Sequence, residues 1–437
     1  MILKRLLVLS CLSILAPAGL GQASRGASGK SFGVAMRLTA LAVRGASRLS
    51  TQEVLAGTGL SVGNMVTEDD LKKTVARLGE TGEFSEVLYS YSTSSSGVKV
   101  EFQVKENSEL VPARFENLVW WPMAEIQKQL EQRVPFFHGS VPISGGMLDQ
   151  VADALQAMVA ERGVAGHVDY LRTETANKLA AVIYSVTAVD IEIRNVSFPG
   201  AALEDVPLLQ KAGKQIPGGE YTVSRLAVLT SKDLMAVYRR RGYLKAAFGD
   251  PEPTLVSGEG QSFTVDVSLP VTPGAQYKLK SMAVTGNQAF PAAELQKHLH
   301  LPVGQPLNSL QLDEDIQAMR ELYGSRGYLS PLIRPEAEFD DAANTVSYRI
   351  AIQEGAVYHF TELSIDGLDA TTEARLTNAW ALRPGEVYDR SYPQRFVDQN
   401  ATMLPLGGRV TFSVHEEVDE KAKTVGVTLH FGTAPAR

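Results

Sequence analysis

A glycine that closes a helical stretch and opens an extended one recurs along the chain and limits what it can fold into. The best copies lie at residues 239–244 and 324–329, centred on Gly242 and Gly327. Looser copies centre on Gly82, Gly163 and Gly408, which places successive glycines about 80 residues apart. A helix commonly ends on a left-handed residue, a conformation that disfavours any side chain with a Cβ. The period predicts several small tandem domains rather than one large core.

Each repeat carries further landmarks around this glycine. A tight turn precedes it by a helix length, as at residues 60–63 and 382–388, and marks a break between two helices. Thr67 and Asp70 predict a capping box at the start of the second helix. Period-two stretches such as residues 98–104 predict the closing strands. The order predicts an α+β fold, a tandem array of about five βααββ domains, each with two helices on a three-stranded mixed sheet.

Two motifs within this order resemble the POTRA family, the periplasmic modules of outer-membrane protein assembly and secretion factors. They are a Val-x-Gly-Asn-like turn after the first strand, as at residues 284–287, and the Arg-Gly-Tyr-like turn after the second helix. The resemblance is least close in the second repeat, where Trp120-Trp121-Pro122 replaces the glycine turn. The predicted domains span residues 36–108, 109–188, 189–273, 274–355 and 356–434.

The N-terminus has the pattern of a secretory signal peptide. Two basic residues precede an apolar run at residues 6–20, which is shorter than a membrane-spanning helix, and small residues favour cleavage before Ser24. Residues 1–23 are the predicted signal peptide, and the predicted location is the periplasm, with association with the outer membrane left open. Cys11, the one cysteine of the sequence, lies in this segment, which predicts a mature chain without disulfides. Lipidation of Cys11 stays open as an alternative.

Charge and motifs argue against nucleic-acid binding and catalysis. The net charge of −7 does not provide the basic surface of a duplex binder. His298 and His300 are two residues apart on a predicted helix, so they point to different faces, which predicts no metal site. The sequence has no nucleophile elbow, zinc-protease helix or phosphate-binding loop. We predict no catalytic residue, cofactor, metal or nucleic-acid partner; peripheral membrane association and the oligomeric state stay open.

The resemblance implies a way of binding other polypeptides. In the family the second strand lies at the sheet edge, where an extended client segment can pair with it by β-augmentation. The corresponding segments here are residues 84–91, 167–172, 243–248, 328–333 and 409–414, and Pro331 is expected to weaken the fourth. The predicted partner-binding residues are Leu88, Tyr89, Val168, Tyr170, Tyr243, Leu244, Tyr328, Leu329, Val410 and Phe412. The predicted structural turn residues are Gly82, Gly163, Gly242, Gly327 and Gly408.

Family members usually carry a C-terminal β-barrel, but the sequence ends at Arg437 directly after a predicted strand, and we expect no barrel within it. The resemblance therefore implies a non-catalytic protein that binds client polypeptides or an outer-membrane β-barrel protein during outer-membrane protein assembly or secretion. A structural scaffold in cell-envelope or division machinery is the alternative. A third hypothesis is an enzyme of the cell envelope, which would need a deep polar pocket.

Overall fold

The computed structural model describes residues 32, 34–175, 178–404 and 410–433. The predicted signal peptide, Cys11 and Gly408 lie outside these residues. The first half of the described chain contains, in order, β1 (Met36–Arg44), α1 (Thr51–Gly57), β2 (Met65–Val66), α2 (Glu68–Glu80), β3 (Phe84–Ser94), β4 (Gly97–Glu106), β5 (Leu110–Phe115), α3 (Met123–Arg133), β6 (Ser140–Pro142), α4 (Met147–Glu161), β7 (His167–Thr175), β8 (Lys178–Thr187) and β9 (Asp190–Ser197). The second half contains α5 (Val206–Ala212), α6 (Val223–Leu229), a π-helical turn (Thr230–Leu234), α7 (Met235–Arg240), β10 (Ala247–Phe248), β11 (Glu252–Glu259), β12 (Ser262–Ser268), β13 (Val271–Thr272), β14 (Lys278–Thr285), α8 (Ala292–Gln296), α9 (Ser309–Gly324), β15 (Leu332–Asp340), β16 (Thr345–Gln353), β17 (His359–Asp366), α10 (Ala370–Ala379), α11 (Tyr392–Gln399), a 3-10 turn (Ala401–Met403), β18 (Val410–Asp419) and β19 (Thr424–Thr433).

The strands of the described residues form five larger sheets, which, together with the helices between them, confirm the predicted α+β class. Numbered along the chain, their strand orders are β2-β1-β4-β3 (sheet 1), β6-β5-β8-β7 (sheet 2), β11-β12-β9 (sheet 3), β14-β16-β15 (sheet 4) and β17-β19-β18 (sheet 5). In sheets 1, 2, 4 and 5 the opening strand of the repeat runs parallel to its closing strand; these pairs are β1 with β4, β5 with β8, β14 with β16 and β17 with β19. The long strand between them in the chain (β3, β7, β15 or β18) pairs antiparallel with the same closing strand. The closing strand of each repeat is therefore central and is hydrogen-bonded to a strand on both sides.

The described residues divide into two compact units. The first comprises residues up to 196 together with 215–226 and 251–268, and the second comprises 197–214, 227–250 and 269 onward. The predicted third domain is divided between them, since β11 and β12 belong to the first unit while α5 and α7 belong to the second.

The turn between the two helices has a role that the sequence did not reveal. In sheets 1 and 2 the residues after it form β2 and β6, which pair antiparallel with the first strand. In the later repeats the same place is an isolated bridge, joining Glu192 to Glu220, Lys278 to Pro306 and His359 to Val387. These pairs occupy backbone groups along the start of the first strand, so the opposite edge of each sheet is the more open one.

Helix starts follow the predicted local chemistry. Thr67 accepts from the backbone N–H of Asp70, and the Asp70 carboxylate accepts from the N–H of Thr67 at 2.8 Å, which confirms the predicted capping box at α2. Ser50 and Glu53 form a second box at α1. Such caps satisfy N–H groups that the first helical turn leaves without partners, and each typically contributes about 1 kcal/mol.

In sheets 1 and 4 a glutamate at the end of the closing strand holds the loop that follows the opening strand of the same repeat. Glu106 accepts from the backbone N–H groups of Ser47, Arg48 and Leu49, each at 2.9 Å. Glu354 likewise accepts from Gln288 at 2.6 Å and from Ala289 at 2.8 Å. Burial opposes ionisation of Glu106, but the hydrogen bonds from these backbone N–H groups outweigh it and lower its pKa to about 2.

Replacement of Glu106 by glutamine is expected to destabilise the loop at residues 45–50 in a pH-dependent way. A carboxylate whose pKa falls from 4.5 on folding to about 2 stabilises the fold above pH 4.5, and this contribution is lost as the pH falls through 2. Because the group is partly solvated, we expect a cost of about 1–2 kcal/mol at pH 7 and a much smaller one at pH 2.5. Hydrogen exchange of residues 45–50 at both pH values measures it, with Glu86→Gln as the exposed control. Equal losses at both pH values would contradict this account.

Candidate polypeptide-binding edges

Each of the five larger sheets has, among the described residues, a long end strand that pairs with one neighbour and makes no bridge to the turn between the helices. These edge strands are β3, β7, β11, β15 and β18, each at the end of its sheet's order. An edge strand presents a row of N–H and C=O groups that can pair with an added strand. The repeated fold therefore offers several places where an extended polypeptide could be added to a sheet.

Six of the ten residues predicted to bind a partner lie on these edge strands. They are Leu88 and Tyr89 on β3, Val168 and Tyr170 on β7, and Val410 and Phe412 on β18. Leu88, Tyr89, Tyr170 and Phe412 are half-buried, whereas Val168 is buried.

The hydroxyl of Tyr170 takes part in the fold of the first unit. It donates to the carboxylate of Asp149 at 2.9 Å. Burial raises the pKa of Tyr170, and the neighbouring Asp149 raises it further, so the hydroxyl stays protonated and remains a donor. The interaction ties the edge strand β7 to helix α4.

The prediction that Tyr243 and Tyr328 lie on edge strands is wrong. The backbone N–H of Tyr243 donates to the carbonyl of Tyr238 at 3.1 Å, and that of Tyr328 donates to Tyr323 at 3.1 Å. This five-residue return is the Schellman closure of a helix end. Each pair of rings also packs edge to face, with centroids 5.7 Å and 5.6 Å apart. The aromatic residue after the glycine is therefore a helix cap, and the edge strands begin later, at Glu252 and Leu332.

Leu244 and Leu329 were also placed wrongly on edge strands. Leu329 is only 7% exposed and belongs to the core of sheet 5, with Tyr358, Phe360 and Tyr388. Leu244 is half-buried and packs against the cluster of Tyr277, Leu279, Leu307 and Val346 under sheet 4. Within the second unit, the leucine of the Gly-Tyr-Leu motif thus serves the core of the following repeat.

The glycines of the motif have left-handed backbones. The φ angles of Gly82, Gly163, Gly242 and Gly327 are +80°, +72°, +83° and +84°. Two of them also accept a hydrogen bond from the next repeat, since Tyr277 N–H donates to Gly242 at 2.8 Å and Tyr358 N–H donates to Gly327 at 2.9 Å. A second function of the glycine is therefore to join consecutive repeats, which the sequence pattern alone did not indicate.

The proline expected to interrupt the fourth edge strand lies outside it. Pro331 immediately precedes β15, whereas Pro335 lies within the strand, opposite Ile350 of β16. Proline is tolerated at a sheet edge when its missing donor faces away from the neighbouring strand. The expected weakening of this edge thus rests on Pro335.

Two tryptophans and a run of three arginines, Arg239-Arg240-Arg241, have structural roles. Trp120 and Trp121 are both buried, and Trp120 packs edge to face on Phe263 with centroids 5.0 Å apart. Arg239 donates to Asp313 at 2.6 Å, and Arg241 donates to Glu204 at 3.0 Å. The tryptophans are core residues, and two of the three arginines at residues 239–241 form ion pairs.

A cleft of about 520 Å³ lies where α1, α2 and α4 meet in the first unit. Leu78, Phe136 and Ala154 line it together with Arg77 and Arg133. Both arginines already have partners within the protein: Arg77 donates to the carbonyl of Gly57 at 3.3 Å, and Arg133 donates to the carboxylate of Glu161 at 2.9 Å.

Metal-binding clusters and membrane-spanning helices are both absent from the described residues. No group of three or more histidine, cysteine, aspartate or glutamate side chains is placed to hold a metal ion. In the part of the chain that the structure describes, no helix is both long and apolar enough to cross a membrane.

Comparison with known proteins finds a family match for one repeat and similar proteins for larger parts of the chain. Residues 277–355 match the model of the POTRA family, described as a surface antigen variable number repeat. The chain is 28% identical over 170 residues to a Treponema pallidum (strain Nichols) protein provisionally named an outer membrane protein assembly factor, a match that covers 39% of this chain and 20% of that protein. It is 20% identical over 179 residues to the outer membrane protein assembly factor BamA of Neisseria meningitidis serogroup B, covering 38% and 22%. The chain thus spans about a fifth of the length of these two curated relatives.

A similar arrangement occurs in a solved structure, POTRA domains 3–5 of Haemophilus influenzae BamA. That structure is 19% identical, covers 55% of this chain and 95% of its own, and superposes with a TM-score of 0.46. The protein belongs to the class of tandem α+β repeats described above. The family match, which spans β14 to β16 with α8 and α9, identifies residues 277–355 as a POTRA domain.

Proposed function

We propose that this chain is a non-catalytic periplasmic protein that binds client polypeptides at its sheet edges during outer-membrane protein assembly. The observation that carries the proposal is the repetition of an open edge strand in every sheet of the described residues. Backbone pairing at such an edge gives affinity without strict sequence demands, which suits a protein with many clients. The names of the curated relatives support a role in assembly.

The partner in this proposal is an unfolded or partly folded outer-membrane β-barrel protein. A barrel precursor supplies extended segments that have not yet found their neighbours, and an edge strand can pair with such segments. The predicted signal peptide at residues 1–23 supports placement in the periplasm, where these precursors pass.

Photocrosslinking in cells tests the proposal. A photoreactive residue is introduced at one exposed position of each edge strand in the full chain: Ser90, Asp169, Thr254, Arg334 and Ser413. Exposed Gln52 on α1 is the matched control. We expect adducts with barrel proteins or their precursors from at least one edge and none from Gln52. Adducts confined to inner-membrane or wall-associated proteins would favour the envelope-scaffold alternative and contradict the proposal.

A further inference from the structure

The five edge strands differ in how well they are protected against an added strand. Proteins protect exposed edges with proline, charged side chains and β-bulges, each of which hinders pairing. Strand β11 contains Pro253 and a register shift between Leu255 and Ser257. Strand β15 contains Pro335 and two glutamates. Both edges carry at least two of these protections.

Charges interrupt two further edges. Strand β18 ends in a run with three carboxylates, Glu416, Glu417 and Asp419, which leaves six residues before them, against eight uncharged residues in β3. Strand β7 alternates charges of both signs, with Asp169, Arg172 and Glu174, and also has a register shift near its end. An incoming strand would have to accommodate fixed charges along most of β7 and along the second half of β18.

Strand β3 lacks these protections over most of its length. From Val87 to Ser94 it has no proline and no charged side chain, and its pairing with β4 is regular. Its one irregularity lies at the start, between Phe84 and Glu86. Eight consecutive residues are longer than a typical strand in globular proteins, which has about five or six. A complete added strand could therefore pair along this segment.

The side chains of β3 define what an added strand would meet. Val87, Tyr89 and Tyr91 lie opposite the buried Val104, Phe102 and Val100 of β4, so they share the core side of the sheet. The rings of Tyr89 and Tyr91 stack with centroids 6.3 Å apart, and Phe32 packs against Tyr91 at 4.9 Å.

Apart from Leu88, the other side of the strand is small and polar. It carries Leu88, Ser90 and Ser92, of which Ser90 and Ser92 lie opposite Glu101 and Lys99 of β4. An added strand would therefore place every second side chain beside an apolar, aromatic row and the alternate ones beside serine hydroxyls.

We propose that β3 is the edge at which this protein binds clients, and that the ligand is an extended, uncharged segment alternating apolar and small polar residues. This inference rests on the function proposed above and narrows it to one of five edges and one class of segment. Alternation of this kind is general in membrane β-strands. The protected edges of sheets 3 and 4 serve to prevent unwanted pairing.

The test transfers the natural protection of the other edges onto β3. In Ser90→Lys/Ser92→Glu the new lysine lies opposite Glu101 and the new glutamate opposite Lys99, so the cross-strand pairs are complementary and folding is preserved. The probe is a fluorescent ten-residue peptide of alternating valine and threonine, with a terminal lysine for solubility, titrated into the full chain. We expect the dissociation constant, measured by anisotropy, to rise at least tenfold.

The matched control is Gln52→Glu/Ala76→Lys, which adds the same pair of charges at exposed helix positions beside sheet 1. It is expected to bind within twofold of the wild type, and circular dichroism verifies that all variants are folded. If Ser90→Lys/Ser92→Glu also binds within twofold while clients crosslink to another edge, the assignment to β3 is wrong and the proposed function stands. If the wild type neither binds the peptide nor crosslinks clients at any edge, both fail.

Discussion

Replacing Gly82 by alanine is expected to open the first unit where α2 ends. The φ of +80° disfavours any residue with a Cβ, and that Cβ would collide with the backbone carbonyl of Ser144 and lie 3.1 Å from the Cα of Gly145. These are backbone atoms that cannot rotate away. Two hydrogen bonds depend on this approach, from Gly146 N–H to Glu80 at 2.7 Å and from Met147 N–H to Thr81 at 3.2 Å. We expect a loss of about 3 kcal/mol from backbone strain and overpacking together.

Gly163→Ala provides the matched control for this effect. Gly163 occupies the same place in the second repeat with φ +72°, but no heavy atom lies within 4 Å of a Cβ built there. Only the backbone penalty of about 1–2 kcal/mol should apply. Hydrogen exchange in the full chain measures the local opening free energy, over residues 78–84 and 143–150 for Gly82→Ala and over residues 159–166 for Gly163→Ala. Equal effects from Gly82→Ala and Gly163→Ala would show that the packing against Ser144 is unimportant.

The comparison of these glycines shows what the sequence could and could not predict. The repeated glycine indicated helix ends and a period, and both follow from local backbone chemistry, since a left-handed residue favours glycine wherever it occurs. The contact of Gly82 with Ser144 depends on a segment more than 60 residues away. No local pattern distinguishes Gly82 from Gly163, although their surroundings differ.

The positions of the edge strands show a second limit of local patterns. An aromatic or aliphatic residue after the glycine is compatible with both an extended strand and a Schellman closure. In the first repeat β3 begins at Phe84, just after Gly82, whereas β11 begins at Glu252, well after Gly242. The residues between Gly242 and β11 cap the helix and contact the next repeat. The sequence of a single repeat does not reveal this contact. The predicted edge segments therefore coincide with the starts of the edge strands in sheets 1, 2 and 5 and are displaced in sheets 3 and 4.

The protection of individual edges could have been found from the sequence once the strands were placed. Pro253, Pro335 and the carboxylates of β18 are all visible in the printed chain. Their meaning depends on knowing that these residues belong to edge strands, because proline and glutamate are ordinary in loops. Only once the strand boundaries are known does the sequence show that β3 has fewer prolines and charged residues, taken together, than the other edge strands.

Leu329→Ala is expected to destabilise sheet 5, although Leu329 belongs to the chain segment that follows α9. Its side chain is 7% exposed among Tyr358, Phe360 and Tyr388, and truncation of a buried leucine typically costs about 2–5 kcal/mol. Hydrogen exchange over β17 and β19 in the full chain should report a loss of about 3 kcal/mol. Leu244→Ala, at the equivalent but half-buried place, should cost about 1 kcal/mol.

The same variant separates a structural role of Leu329 from a role in binding. If Leu329 contacted a client, its removal would lower crosslinking from the edge strands while exchange over β17 and β19 stayed unchanged. The packing described above predicts the reverse: exchange accelerates in sheet 5, and crosslinking from Ser90 on β3 is retained, because β3 lies in the first unit and Leu329 in the second. The repeated Gly-Tyr-Leu motif would then be established as a device for linking consecutive repeats, and the client surface would be confined to residues outside it.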